Sequence, residues 1–469
     1  MKIYDKLYIN GQWQTPHSQA SHDIVNPATE AVVARVPMGN SKDLDDAVAA
    51  AKQAFKTWSR TSAQVRSDFI NAISAKMSER KHDLAAAMSM SMGCPLEMTM
   101  ALQTEGPIYG MQTFAEKAFQ MEVVKEVKNS LVMKEAVGVC AFINPWNYPL
   151  NQFVGKVAPA LAAGCTIIAK PAEQTPLQDI IMAEIFDEVG LPPGVFNLVI
   201  GSGPEVGAAM SSHPDVDMVS FTGSTRAGVM IAEAAAPSVK RVTQELGGKS
   251  PFIITADADL EAAVSYGVED VMINTGQTCT ALTRMLVPES HYDEAVTIAK
   301  RVAESYTIGT GEAFMGPMVT KLQKDRVLSY IEKGLTEGAT LVTGGTEQPS
   351  SQAAGWYVKP TIFADVNNDM AIAREEIFGP VLCMIPYAKL DDAIEIANDT
   401  PYGLSSGVYA KDRDAALQVA REIRAGLCFI QGGDFNYDAP FGGFKQSGNG
   451  REYGDEALHE FYEIKSIQM

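Results

Sequence analysis

The sequence lacks several features that would have assigned it quickly. No cysteine pair has Cys-x-x-Cys spacing. The six cysteines, at 94, 140, 165, 279, 383 and 428, are scattered along 469 residues, so neither structural zinc nor a disulfide framework is expected, and no metal site is predicted. No basic excess is present. With 57 acidic against 38 basic residues the formal net charge is -19, which repels nucleic-acid backbones and anionic membrane surfaces. The opening Met1-Lys2-Ile3-Tyr4-Asp5-Lys6 has no apolar core of a signal peptide, and the longest apolar stretch, Val157 to Ala169, is too short to span a bilayer. A cytoplasmic location is expected. Repeats and low-complexity tracts are missing as well. Histidine is sparse: His17, His22, His82, His213, His291 and His459 fall on polar segments, and none forms a recognisable motif with a cysteine.

What remains is an ordinary globular composition, 46% hydrophobic and 20% charged, in a chain longer than one hydrophobic core usually serves. Two or more domains are expected. Helical periodicity over Asp43 to Trp58 and Asp68 to Ser89 alternates with short β-branched runs at Ala136 to Ile143, Thr166 to Lys170, Val195 to Ile200 and Asp217 to Phe221. This is the pattern of a doubly wound α/β sheet. A second α/β series starts near Ser250, with strands at Pro251 to Ile254, Met285 to Val287, Ala339 to Val342, Val358 to Phe363 and Val381 to Ile385. Met121 to Met133 and Phe461 to Met469 alternate polar with apolar residues, as protruding strands do. Unpaired strand edges invite another chain, so these are candidate oligomer contacts, with a local hairpin as the alternative.

Chemistry concentrates at Cys279, in the run Asn274 to Thr280, and at Glu245 in Glu245-Leu246-Gly247-Gly248-Lys249. A thiol can attack a carbonyl carbon, and a carboxylate can activate water. Phe221-Thr222-Gly223-Ser224-Thr225 follows an apolar strand and opens a helix, where free N–H groups suit a pyrophosphate. Its spacing is not G-x-G-x-x-G, and a plain strand-to-helix turn fits equally. Lys170 and Glu173, at a strand's carboxyl end, can hold the hydroxyls of an adenosine ribose, and the glutamate repels a 2′-phosphate. This favours NAD over NADP; a solvated ion pair is the alternative.

Asn144-Pro145-Trp146-Asn147-Tyr148-Pro149, Lys170 to Glu173, Phe221 to Thr225, Glu245 to Gly248, Gly276 to Cys279, Glu375 to Pro380 and Pro440 to Gly448 occur together and in order. In this the chain resembles the NAD(P)-dependent aldehyde dehydrogenase superfamily over essentially its whole length. The resemblance implies a modified Rossmann cofactor domain at residues 1 to 117 and 137 to 248, an α/β catalytic domain at 249 to 446, and β oligomerisation arms at 118 to 136 and 447 to 469. A homodimer or homotetramer is implied too.

The resemblance also implies roles. Cys279 is the nucleophile, Asn147 and the Cys279 backbone N–H hold the oxyanion, Glu245 activates the hydrolytic water, and Lys156 assists proton movement. Glu376 takes the nicotinamide ribose beside Phe378, Trp146 adjoins the cofactor, Gly207 lies beneath it, and Gly223, Ser224 and Thr225 face the pyrophosphate. The substrate tunnel is lined by Tyr148, Asn151, Gln152, Gly155, Thr278, Thr280, Phe435, Asn436, Tyr437 and Phe441.

No arginine is among them, and Gly155 stands where relatives acting on short semialdehydes commonly carry one. A dicarboxylic semialdehyde needs a cationic clamp, so a medium-to-large aliphatic or aromatic aldehyde is expected instead. The rival readings are a coenzyme A-acylating enzyme, which Glu245 weighs against, and a non-enzymatic protein that retains the fold.

Overall fold

The computed structural model describes residues 1–469. An eight-stranded sheet has at its centre five parallel strands, in the order Arg241–Glu245, Met218–Thr222, Val139–Ile143, Thr166–Lys170, Phe196–Leu198. Val139–Ile143, Thr166–Lys170 and Met218–Thr222 are buried at every position. That is why each reads as an unbroken apolar run, as strands covered on both faces do. Antiparallel strands close its edges, Gly448–Asn449 on one side and Leu7–Ile9 with Gln12–Gln14 on the other.

From Val139–Ile143 the chain winds outward in one direction through Thr166–Lys170 to Phe196–Leu198, then returns to build Met218–Thr222 and Arg241–Glu245 on the other side. The reversal opens a crevice at the carboxyl ends of neighbouring strands, the place where open α/β sheets hold ligands. Asn147, Gly223 and Glu245 all follow or end strands that point into it.

The second sheet has seven strands, in the order Thr340–Thr343, Thr361–Ala364, Val381–Tyr387, Arg284–Pro288, Pro251–Ile254, Gly407–Tyr409, Phe429–Ile430. All pairs are parallel except the first. Separate apolar clusters cover its faces.

Both candidate arm segments contain strands that pair with each other, although Met121 and Glu122 belong to the 3-10 turn Ala118–Glu122. Tyr462–Gln468 runs antiparallel to Ser130–Ala136 over seven residues, and Lys125–Val127 closes a hairpin on the other side. The hairpin alternative is thus half right, and the outer edge of Tyr462–Gln468 stays open, with Ile464 and Ile467 exposed. Arg241, at the start of the strand that ends in Glu245, ties this small sheet to the first one. Its guanidinium donates to Tyr462 O at 3.0 Å and Glu463 Oε1 at 2.8 Å.

Two expectations need correction. The single helix expected over Asp68 to Ser89 is two, Ala63–Glu79 and Lys81–Met92, broken at Arg80, whose φ of -101° and ψ of 17° leave the helical region. Arg80 there reaches Glu184 at 2.7 Å and Glu188 at 3.2 Å. Apolar periodicity continues across the break and hides it. The strand expected over Ala136 to Ile143 is divided at Gly138, where φ is +136° and a Cβ would lie against the Asp217 carboxylate. No helix is long and apolar enough to cross a membrane.

Candidate active site

Cys279 follows the helix Leu260–Met272 through three successive left-handed residues, Asn274 (φ 52°), Thr275 (φ 57°) and Gly276 (φ 70°). Two of them carry side chains, a strained backbone that persists only where its surroundings enforce it. The enforcement is visible. Asn274 Nδ2 donates to Asn147 O at 3.0 Å, Thr275 Oγ1 donates to Gly316 O at 3.0 Å, and Gln277 Oε1 accepts the Val319 N–H at 2.9 Å. A Cβ at position 276 would fall 2.1 Å from Gly379 O, so only glycine fits.

Asn147 is buried and donates one amide hydrogen to Gln277 O at 3.0 Å. The amide has two hydrogens, and the second makes no hydrogen bond within the protein. Burial holds the Cys279 thiol well above its usual range, and the nearby charges of Glu376, Glu245 and Glu452 add to the effect. Burial therefore favours the protonated thiol.

Glu245 stands beside this thiol. It ends Arg241–Glu245, is 5% exposed, and neither carboxylate oxygen has a hydrogen-bond partner. Burial, followed by the charge of Glu452, raises its pKa well above the ordinary glutamate range, and Lys156 and Arg451 oppose the rise. On one side Glu245 shares a cleft with Cys279. On the other it lines a small cavity of about 10 Å³ with Lys156, Arg451 and Glu452, room for about one water.

Lys156 lies on the helix Pro149–Ala163, 1% exposed. Its ammonium pairs with Glu452 Oε1 at 2.7 Å and donates to Thr222 Oγ1 at 2.7 Å. Sequence reading missed Glu452, because no spacing rule links residues so far apart in the chain.

The cleft, about 190 Å³, is walled by Trp146, Gly223, Ser224, Glu376 and Phe378 among others. Trp146 meets Phe378 edge to face, ring centroids 5.3 Å apart. Glu376 Oε1 accepts the Gly248 N–H at 2.9 Å, and burial pushes its carboxyl up to about 7. Ser224 caps the helix Thr225–Ala235, whose N-terminus faces the same cleft. Gln323 and Arg326, which sequence reading did not single out, complete the wall and hold the backbone of Phe378 and Glu376 at 2.9 and 2.8 Å.

At the far end Glu173 accepts the Gly203 N–H at 2.7 Å and stands 3.6 Å from the Lys170 ammonium. Lys170 also donates to Pro171 O and Gly201 O at 2.8 and 2.9 Å. Gly207 is buried, and a Cβ there would touch Lys170 Cε at 3.7 Å and Ile143 Cδ1 at 3.8 Å. A row of glycines, an uncovered helix N-terminus and two ribose-sized carboxylates fit a dinucleotide.

A second cavity of about 400 Å³ reaches Cys279 from the opposite direction, lined by Tyr148, Gln152, Thr278, Thr280 and Phe441 with Tyr266, Asp270, Tyr437 and Tyr453. Tyr148 and Thr278 share a hydrogen bond of 2.9 Å. Two expected lining residues are elsewhere. Gly155 faces inward, where a Cβ would stand 2.8 Å from Glu452 Oε2 and 3.3 Å from the Tyr453 ring. Asn436 is exposed and turns its amide oxygen to the Asp438 N–H at 2.9 Å.

Comparison with known proteins decides the family. The aldehyde dehydrogenase family profile matches residues 13–467. The chain belongs to the aldehyde dehydrogenase family. It is 45% identical over 471 residues to 3-succinoylsemialdehyde-pyridine dehydrogenase of a Pseudomonas species, covering 100% of this chain and 99% of the other. A cysteine-to-alanine mutant of aldehyde dehydrogenase C from Pseudomonas syringae, complexed with NAD+ and octanal, superposes at a TM-score of 0.97 with 46% identity, over 99% of this chain and 96% of that one. The Mycobacterium tuberculosis aldehyde dehydrogenase complexed with NAD+ gives a TM-score of 0.97 with 41% identity, over 100% and 98% of the two chains. This aldehyde dehydrogenase is thus an NAD(P)-dependent oxidoreductase with the fold expected of its sequence.

Proposed function

We propose that this aldehyde dehydrogenase oxidises a medium-to-large aliphatic or aromatic aldehyde to its carboxylic acid with NAD+, through an acyl group carried on Cys279. One observation carries the reading: Cys279 is the wall shared by the dinucleotide-sized cleft and the aromatic tunnel. An aldehyde in the tunnel and a cofactor in the cleft meet only at that sulfur. The relatives' substrates support a roomy tunnel, since one is named for a pyridyl semialdehyde and another holds octanal.

The thiol proton passes to a base as Cys279 Sγ attacks the carbonyl carbon, giving a thiohemiacetal. Its oxyanion is held by the free Asn147 N–H and the Cys279 backbone N–H, donors worth about 3 kcal/mol each when preorganised. Bound in the cleft, NAD+ supplies the two-electron sink that leaves a thioester. Glu245 then takes a proton from the water that attacks the thioester, and the positive charge of Lys156 nearby assists the proton's movement. Glu376 and Phe378 hold the nicotinamide end, with Trp146 packed against Phe378. Gly223, Ser224 and Thr225 face the pyrophosphate, Gly207 lies beneath the cofactor, and Lys170 and Glu173 hold the adenosine ribose. The Glu173 carboxylate disfavours the 2′-phosphate of NADP. Tyr148, Gln152, Thr278, Thr280 and Phe441 contact the aldehyde. Glu245 beside Cys279 favours hydrolysis over transfer to coenzyme A.

The first sheet is the cofactor domain, the second the catalytic domain, and the open edge of Tyr462–Gln468 the contact through which two or four copies assemble. Six free thiols suit the reducing cytoplasm.

The experiment is NADH formation with hexanal, benzaldehyde and succinate semialdehyde, without coenzyme A. Turnover of the first two at least tenfold above the third is expected, and none with Cys279→Ala. A tenfold preference for succinate semialdehyde overturns the substrate reading. A requirement for coenzyme A overturns hydrolysis.

A further inference from the structure

The tunnel holds one charged group close to the reacting sulfur. Asp270 lies on the helix Leu260–Met272, one turn after Tyr266 and on the same face, and both line the cavity. Asp270 Oδ2 accepts the Leu282 N–H at 2.7 Å, which fixes the carboxylate against the segment three residues beyond Cys279. Three residues of even extended chain span at most about 11 Å. The structure gives Asp270 no other hydrogen bond and no cationic partner. No lysine, arginine or histidine lines this cavity, and the second acid on its wall is Asp434, exposed at the mouth.

Several buried charges in this molecule are matched: Lys156 by Glu452, Lys170 by Glu173, and Arg284 by four acceptor oxygens. Asp270 lacks a cationic partner, as Glu245 and Lys249 lack any hydrogen-bond partner, and of these three it alone lines the tunnel. Burial pushes its carboxyl up to about 7, the Leu282 N–H opposes the rise, and Glu269 adds to it. The remaining wall is rich in aromatic faces, among them Tyr148, Tyr266, Phe435 and Phe441. Such faces attract cations, and most strongly where water is excluded. A net charge of -19 further concentrates cations around the protein.

We propose that the tunnel selects aldehydes bearing a positively charged nitrogen a few bonds from the carbonyl, the Asp270 carboxylate neutralising the charge and the aromatic faces surrounding its alkyl groups. This rests on the reading of Cys279 as the aldehyde-oxidising nucleophile and adds the substrate's charge to it. The missing arginine clamp and the unpaired carboxylate then have one explanation: the site is built for the opposite charge from a dicarboxylic semialdehyde. Asp270 is a specificity-determining residue: it meets the substrate's charge and takes no part in the bonds that change.

The test compares two aldehydes of nearly equal shape, 4-(trimethylammonio)butanal and 5,5-dimethylhexanal, by NADH formation at saturating NAD+, with hexanal as reference. The wild-type enzyme is expected to favour the cationic aldehyde at least tenfold in kcat/KM. In Asp270→Asn, which keeps an oxygen for the Leu282 N–H, that ratio falls to within about threefold. Propyltrimethylammonium, which has no carbonyl, is expected to inhibit the wild type in competition with the aldehyde; this readout and the wild-type ratio do not depend on the variant folding. Equal or better use of the neutral aldehyde, or an Asp270→Asn enzyme with an unchanged ratio, overturns the proposal while aldehyde oxidation stands. Failure of all three aldehydes to yield NADH overturns the underlying reading, and this one with it.

Discussion

The Lys156 ammonium and the Glu452 carboxylate form an ion pair of 2.7 Å, 1% and 6% exposed, in the cavity that Glu245 also faces. Removing one partner of such a pair leaves a charge buried alone, which typically costs about 3–5 kcal/mol.

Lys156→Met is therefore expected to lower the melting temperature. It also takes away the charge that most opposes the raised pKa of Glu245. A base works only when deprotonated, so turnover rises as pH climbs through the Glu245 pKa, and the variant's rise moves to higher pH. A pH–kcat profile with its limb unmoved would remove Lys156 from influence over the base.

For Glu245→Gln, acylation precedes the water step, so a burst of NADH is expected with slow later turnover. Stopped-flow absorbance checks this. Burst and turnover lost in equal measure would take Glu245 out of deacylation.

Glu376 should give an acid limb to cofactor binding. Its carboxyl is pushed up to about 7 and is charged only above that value. The KM for NAD+ is expected to rise as pH falls through 7 and to become flat with pH in Glu376→Gln. A wild-type KM constant from pH 8 to 6 contradicts the assignment.

Gly155→Ala places a methyl group 2.8 Å from Glu452 Oε2. Overpacking of this kind costs about 1–3 kcal/mol, so thermal unfolding should shift downward. An unchanged melting temperature would mean that Glu452 yields without loss.

Much of this was legible in the letters. Thr166–Lys170, Pro251–Ile254 and the start of the helix at Leu260 fall where periodicity puts them, because buried parallel strands and capped helices carry strong local signals. Cys279, Glu245 and Asn147 stood out through their motifs, and the structure brings them to one cleft. Gly155 was read as tunnel wall because its position suggested a side chain's role; which way that face of the helix turns depends on Glu452 and Tyr453, supplied from far along the chain. Asp270 and Glu452 were silent for the same reason. An acid on a helix, as Asp270, or in a loop, as Glu452, looks solvated until another element closes over it, and no local pattern records the closure.

The strand Arg241–Glu245 carries the buried Glu245 carboxylate, the proposed water-activating base, at one end and, at the other, a guanidinium gripping the C-terminal strand Tyr462–Gln468. Five residues of extended chain form a stiff rod of roughly 16 Å. In the proposed assembly, a neighbouring copy docking along the arm would push on the same rod that aims the proposed base, coupling quaternary contact to hydrolytic rate through one mechanical part. Loosening the grip, as in Arg241→Ala, should disturb assembly and deacylation together.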